Sequence, residues 1–164
     1  MKLGYACINL SLEKQGSFRK ITVKKALTLS VQELHRQLKS ITVDNLFNTL
    51  QILKWNVKNN ITMYRCSSDL IPLATHEINT YEWWNDEDVL RICNQIKELS
   101  QLHNVRLSFH PSQFCVLNSD KEHVVINSIK DLEYHNTLSN LIGNNTLILH
   151  VGGMQQLKIS YKKL

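Results

Sequence analysis

Long apolar runs, paired cysteines and glycine-rich phosphate loops are all missing from this 164-residue chain, and each absence removes a class of protein. No stretch approaches the ~18 consecutive apolar residues of a membrane-spanning helix, so no bilayer crossing is expected. The opening MKLGYACINL holds one Lys and a short apolar run broken by Gly4 and Asn9. It has neither the longer apolar region nor the cleavage site of a secretory signal, so a cytoplasmic location is expected. Cys7, Cys66, Cys93 and Cys115 are scattered with no CxxC pair, which speaks against a zinc ribbon or a disulfide framework. They read as small, buried, reduced hydrophobes. No low-complexity linker or residue-level repeat divides the chain, and its length suits one domain with a real core.

What is present is the composition of a globular protein, 43% hydrophobic and 20% charged. A formal charge of +5 and a pI near 9.0 favour an anionic partner. The clusters Arg19, Lys20, Lys24, Lys25 and Lys158, Lys162, Lys163 also read simply as solvated charge.

Four short apolar segments, Leu3 to Ile8, Ile61 to Cys66, Val105 to Phe109 and Thr146 to Val151, read as buried strands. Helical patterns lie between them. Leu46, Leu50, Leu53 and Val57 share one helix face, with Asp44 as N-cap and a separate shorter helix expected upstream around 31–39. Val89, Ile92, Cys93, Ile96, Leu99 and Leu102 share another, opened by Asp86, Glu87 and Asp88. A third helix is expected from Ser119 or Asp120 through Val125, Ile129 and Leu132 to Gly143. Strands alternating with helices imply right-handed βαβ units and a parallel sheet. A doubly wound sheet and a (β/α)8 barrel both begin this way. GYACINLSLE offers no GxGxxG or GxxxxGK loop, which favours the barrel.

In parallel α/β folds the chemistry collects at the carboxyl ends of the strands. There this sequence places Tyr5, Cys7 and Asn9; then Arg65, Ser67, Ser68, Asp69 and His76; then His110 and Gln113; then His150 followed by Gly152 and Gly153. His110 and His150 end consecutive strands, so two imidazoles could share a metal. His35, His103, His123 and His135 fall on or at the ends of helices, and His135 is expected on an outer face. Trp83 and Trp84 read as core or loop packing, with a base-stacking platform as the alternative.

The segments LGYACIN, NLFNTLQILKWNVKNNITMYRCSSDLIPL, HPSQF, DLEYH and HVGG, in that order, resemble the UV damage endonuclease family. The resemblance implies the N-terminal half, about four βα units, of a TIM-type (β/α)8 barrel over residues 1–153, followed by a divergent tail, 154–164. It implies metal-dependent cleavage of the DNA backbone 5′ to UV photoproducts, with divalent ions, manganese favoured, and damaged double-stranded DNA as partner. Carried over residue by residue, it makes His110 and His150 metal ligands and His76 an active-site histidine. Tyr5, Asn9, Gln113 and Phe114 become contacts to DNA at the lesion, with Arg65, Ser67 and Ser68 helping to build the binding rim. Phe114 stands where a Tyr is usual and Ser112 where a Gly is usual. A Phe keeps the stacking face and loses a hydroxyl, so lesion preference should change while probing survives.

A metal cluster also needs carboxylates to bridge ions and balance charge. The resemblance puts those ligands on later strands that this sequence does not contain. The expectation is a truncated or frame-shifted endonuclease, inactive alone, whose open sheet edges favour self-association. An apurinic endonuclease or sugar isomerase on the same barrel, or a non-catalytic basic DNA-binding fragment, are the alternatives.

Overall fold

The structure, a computed structural model, describes residues 3–12 and 17–150. Its elements follow in the order β1 (Gly4–Ala6), α1 (Val23–Ala26), α2 (Val31–Lys58), β2 (Met63–Arg65), α3 (Glu87–Leu102), β3 (Arg106–Ser108) and α4 (Glu122–Ile142). β1 pairs with β2 and β2 with β3, both parallel, with Tyr5 opposite Tyr64 and Tyr64 opposite Leu107. Phe109 then bridges Leu147, also in parallel. Spatial order therefore equals chain order. A doubly wound sheet reverses direction from its first strand, whereas a barrel advances one strand at a time, so this topology decides between the two in favour of the barrel.

Period-2 alternation sorts the strand side chains onto two faces. Tyr5, Tyr64 and Leu107 point toward the helices, where Tyr64 and Leu107 are buried. Gly4, Ala6, Met63, Arg65, Arg106 and Ser108 point the other way, into an open groove of about 440 Å³. On the helix side, α2 packs against α3 and α3 against α4. Leu34, Leu38, Leu46, Leu50 and Leu53 of α2 meet Val89, Ile92 and Ile96 of α3 in one core, which Leu138 and Ile142 of α4 extend. Each such side chain contributes about 1.5–3 kcal/mol on full burial.

α2 is one continuous helix, not two. Ser30 caps it: the Ser30 hydroxyl accepts the Glu33 N–H, and the Glu33 carboxylate accepts the Ser30 N–H in return. The expected N-cap Asp44 lies mid-helix and pairs with Arg19 instead. The buried stripe simply runs through the β-branched stretch, with Ile41 and Thr42 inward, because tertiary burial outweighs their weaker helix propensity. α3 starts as expected: the Asp86 carboxylate accepts the Asp88 and Val89 N–H groups. α4 ends on Gly143, whose φ of 72° is the left-handed conformation that glycine adopts without strain.

Other expectations are corrected as well. The strands are shorter than their apolar segments, and the fourth is a single bridge at Leu147; Ile148 and Leu149 are exposed, with no further strand beside them among the described residues. On α4 the buried face is Ser128, His135, Leu138 and Ile142, while Ile129 is exposed. His135 is accordingly not on an outer face but 1% exposed, because its ring packs edge-on to Phe109 and Tyr134 and its Nδ1 donates to Asp131 O within the same helix. Trp83 is core, as expected, but Trp84 remains 43% exposed. Residues 151–164, with Gly152, Gly153 and the tail, lie outside the described residues.

Candidate functional site

The third strand leads directly into His110. Phe109 on its helix side is fully buried, so the alternation turns His110 toward the rim. The fourth segment brings His150 to the same level: Phe109 N–H donates to Thr146 O at 3.0 Å and Ile148 N–H to Phe109 O at 3.0 Å, which fixes the two chains side by side. The imidazoles of His110 and His150 meet edge to face, with ring centroids 4.7 Å apart and planes at 81°. Their equivalent places at the ends of consecutive strands predict this meeting.

Beyond His110 the chain makes a tight turn. Pro111 is buried, Ser112 Oγ accepts the Phe114 N–H at 3.2 Å, and Ser112 O accepts the Cys115 N–H at 2.9 Å. Gln113 and Phe114 are left at the tip, with Phe114 76% exposed. An aromatic side chain so exposed on a tight, hydrogen-bonded turn is placed to stack on something else.

The other candidate residues fall into three groups. Tyr5 and Asn9 stand together but face inward. Tyr5 donates its hydroxyl to Asn56 Oδ1 at 2.6 Å and accepts from Asn9 Nδ2 at 2.7 Å, its ring lies edge-on to Tyr64, and Asn9 is only 4% exposed. Burial raises the Tyr5 hydroxyl pKa, against the opposing hydrogen bonds to Asn9 and Asn56, so it is a neutral donor at physiological pH. Arg65 is on the open face beside Arg106, across the groove that Gly4 and Ala6 floor. Ser67 Oγ accepts the Asp69 N–H at 3.4 Å, Ser68 O accepts the Tyr134 hydroxyl at 3.0 Å, and Lys20 pairs with Asp69 at 2.6 Å. These bonds tie the loop after β2 to α4 and to the segment before α1. His76, whose Nδ1 accepts the Ile78 N–H at 3.2 Å, lines a separate pocket of about 430 Å³ with Trp83, Trp84, Lys130 and Glu133.

The arrangement also brings to the site residues that the sequence reading did not place there. Asp131 and His135 lie under the His110 loop: His135 Nδ1 is 2.7 Å from Asp131 O and 3.5 Å from its carboxylate, and its ring is edge-on to both Phe109 and Tyr134. Burial pushes the Asp131 carboxyl upward, opposed by the neighbouring His135 and by the Ser112 N–H. The available signal was the 3–4 spacing of Ser128, Asp131, His135, Leu138 and Ile142, a helix stripe that is polar at one end and apolar at the other.

The donor chemistry can be tested against a divalent ion. Two imidazoles fit two positions of a coordination set, but a hard ion such as manganese takes several oxygen ligands besides. Among the described residues no group of three or more His, Cys, Asp or Glu side chains is placed to hold a metal. His110 and His150 therefore fit as part of a site rather than as a whole one.

A sequentially ordered parallel sheet with two imidazoles and an exposed aromatic tip on its carboxyl rim defines the N-terminal half of a TIM-type barrel. The crystal structure of SacUVDE agrees: it matches with a TM-score of 0.79 at 30% identity, over 95% of this chain and 51% of that one. A family model described as UV-endonuclease UvdE matches residues 1–161, and the chain belongs to that family. The UV DNA damage endonuclease of Clostridium perfringens is 37% identical over 158 residues, which are 94% of this chain and 36% of that protein. The UV DNA damage endonuclease of Bacillus thuringiensis subsp. konkukian is 36% identical over 156 residues, 93% of this chain and 49% of that protein. The chain thus spans half or less of the length of these curated relatives.

Proposed function

We propose that these residues form the N-terminal half of a DNA repair endonuclease that uses divalent metal, manganese favoured, to cut the backbone 5′ to UV photoproducts in double-stranded DNA. The observation that supports this best is the convergence of His110 and His150 at the rim, one turn away from the exposed Phe114, in a member of the UvdE family. In this reading His110 and His150 donate two of the ligands of the metal cluster. When bound, such ions supply charge neutralisation at the scissile phosphate.

The chain's own groups do the rest. Arg65 and Arg106, on the open face, attract the polyanionic backbone without reading sequence. Phe114 and Gln113 probe the stack: an aromatic face recovers stacking energy where a lesion has already weakened it, at about 1–3 kcal/mol per base. Phe114 has no hydroxyl, so it probes by stacking alone. His76 acts from the neighbouring pocket on the same loop system as Ser68. Tyr5 and Asn9 reach DNA only once the Asn56 bond has opened; until then they hold β1 to α2.

The test combines binding and cutting. The 164-residue polypeptide is expected to bind a duplex carrying one UV photoproduct more tightly than the undamaged duplex, and to leave UV-irradiated plasmid uncut with manganese present. Salt-sensitive binding without preference for damage would overturn the lesion reading in favour of a basic DNA-binding module. Manganese-dependent nicking by this polypeptide would refute the view that the metal cluster needs carboxylates from later strands.

A further inference from the structure

We infer that the basic segment before α2, ending in Lys24 and Lys25, forms with Arg36 of α2 a docking surface for the phosphate backbone of duplex DNA beside the rim. Residues 17–39 hold six Lys and Arg against one acid, Glu33, an excess as large as the +5 of the whole chain. Three of these cations are engaged within the fold: Arg19 pairs with Asp44, Lys20 with Asp69 at 2.6 Å, and Lys39 with Asp86 at 2.8 Å and Asp88 at 3.1 Å. Glu33 is engaged too, since its carboxylate accepts the Ser30 N–H at 2.9 Å and the Ser30 hydroxyl at 2.7 Å. Lys24, Lys25 and Arg36 are left exposed and make no ion pair among the described residues.

The anchoring of the segment puts this charge next to the rim. Asn45, 0% exposed on α2, holds Arg19 by both backbone groups: Arg19 N–H donates to Asn45 Oδ1 at 2.8 Å, and Asn45 Nδ2 donates to Arg19 O at 3.0 Å. The same Nδ2 donates to Leu70 O at 3.0 Å, in the loop that leaves the carboxyl end of β2. Asn48 Nδ2 adds a bond to Ser17 O at 3.0 Å, and the Lys20–Asp69 pair ties the segment to that same loop. Farther along α2, Asn56 meets Tyr5 of β1, so the helix descends beside the sheet from Asn45 onward. The part of α2 before Asn45, about 20 Å long at ~1.5 Å per residue, therefore stands above the rim as a ridge, with Lys24, Lys25 and Arg36 near its start. Charge that serves solubility gains nothing from a fixed position. A phosphate contact does gain, because the groups are ordered during folding rather than on binding.

The inference rests on the proposed function for the duplex on the rim, and the experiment separates the two. Fluorescence anisotropy measures the affinity of the full 164-residue chain for a photoproduct duplex and for an undamaged one across about 50 to 200 mM salt. Lys24→Gln with Lys25→Gln is expected to weaken both complexes alike and to lower the log–log salt slope by about 2, leaving the ratio of the two affinities unchanged. Lys54→Gln with Lys58→Gln removes the same charge toward the far end of α2, where both lysines are also exposed, and is expected to leave the slope as it was. A slope unchanged in the first variant, or lowered equally in the second, overturns the inference, as does a chain that binds neither duplex. If the first variant does not fold, Arg36→Gln alone is expected to lower the slope by about 1, and no change there also overturns it. A slope that falls as expected in a chain with no preference for damage would sink the lesion reading and leave the phosphate-docking surface standing.

Discussion

Gly4→Ala should open the first strand pair. A Cβ at Gly4 would stand 2.5 Å from Met63 Cβ and 2.6 Å from Met63 O, both of them fixed by the backbone of β2. Neither contact can be relieved by swinging the end of a flexible side chain. The strands must separate by most of an ångström, which strains or breaks the parallel bonds on either side, Met63 N–H to Leu3 O at 3.2 Å and Cys7 N–H to Arg65 O at 2.8 Å. Overpacking costs about 1–3 kcal/mol and each weakened backbone bond about 1 kcal/mol more. Ala recovers about 0.4–1 kcal/mol by restricting the unfolded chain, leaving a net loss of roughly 2–4.5 kcal/mol. Urea unfolding followed by far-ultraviolet circular dichroism reads this directly, and exchange at the Cys7 amide locates it. An Ala variant that unfolds within about 0.5 kcal/mol of the parent, with Cys7 still protected, would refute the close approach and with it the β1–β2 register.

Other perturbations follow from the same geometry. Ser30→Ala removes half of the α2 capping box and should cost about 1 kcal/mol in chemical denaturation, whereas Asp44→Ala, at the cap position the sequence had suggested, should cost less than about 0.5 kcal/mol because it loses only a solvent-exposed pairing with Arg19. Burial raises the Asp86 carboxyl, but Lys39, Tyr81 and the Val89 N–H outweigh it, so its folded pKa is depressed. Its contribution to stability is complete above the unfolded carboxylate range near pH 4 and fades as pH falls through the folded value, so Asp86→Asn should flatten the acid limb of a stability–pH curve. Cys66, Cys93 and Cys115 are buried and their thiols pushed up by burial, Cys93 to about 12, while Cys7 is half-exposed. A thiol reagent at neutral pH should therefore label one cysteine quickly and the other three at the rate of unfolding. If the proposed metal site is present, His110→Ala and His150→Ala should each weaken manganese binding, measured by water-proton relaxation, with little effect on thermal unfolding; an unchanged affinity in both would remove them from the proposed site.

Much of this fold is legible in the sequence, because alternation of apolar segments with helical stripes is a local signal. α3 and the end of α4 could be placed almost to the residue, since Asp86 and Gly143 are terminators whose chemistry is local. α2 could not, because Asp44 has the chemistry of a cap and only Arg19 and the core beneath Ile41 show that it is not one. Strand ends are not legible either, because apolar character persists past the last paired residue. At the site, His110 and His150 could be paired from their equivalent places on adjacent strands. His135 and Asp131 were hidden because a helical histidine has the same local pattern whether it faces water or a loop. The inward turn of Tyr5 toward Asn56 depends on a partner 51 residues away, which no local pattern reports.

The strict match between chain order and spatial order bears on how the molecule is made. Every packing partner of a new element, α3 on α2, β3 on β2, α4 on α3, has already been synthesised when that element emerges. Ribosomal synthesis at about 5–20 residues per second is slow beside helix and strand formation, so each layer can dock before the next one leaves the exit tunnel. The helix side of the sheet seals itself in this way without waiting for the opposite face. Assembly of these elements can thus proceed as steady vectorial growth along the sheet, with the groove lined by Arg65 and Arg106 left open while the helix side is sealed.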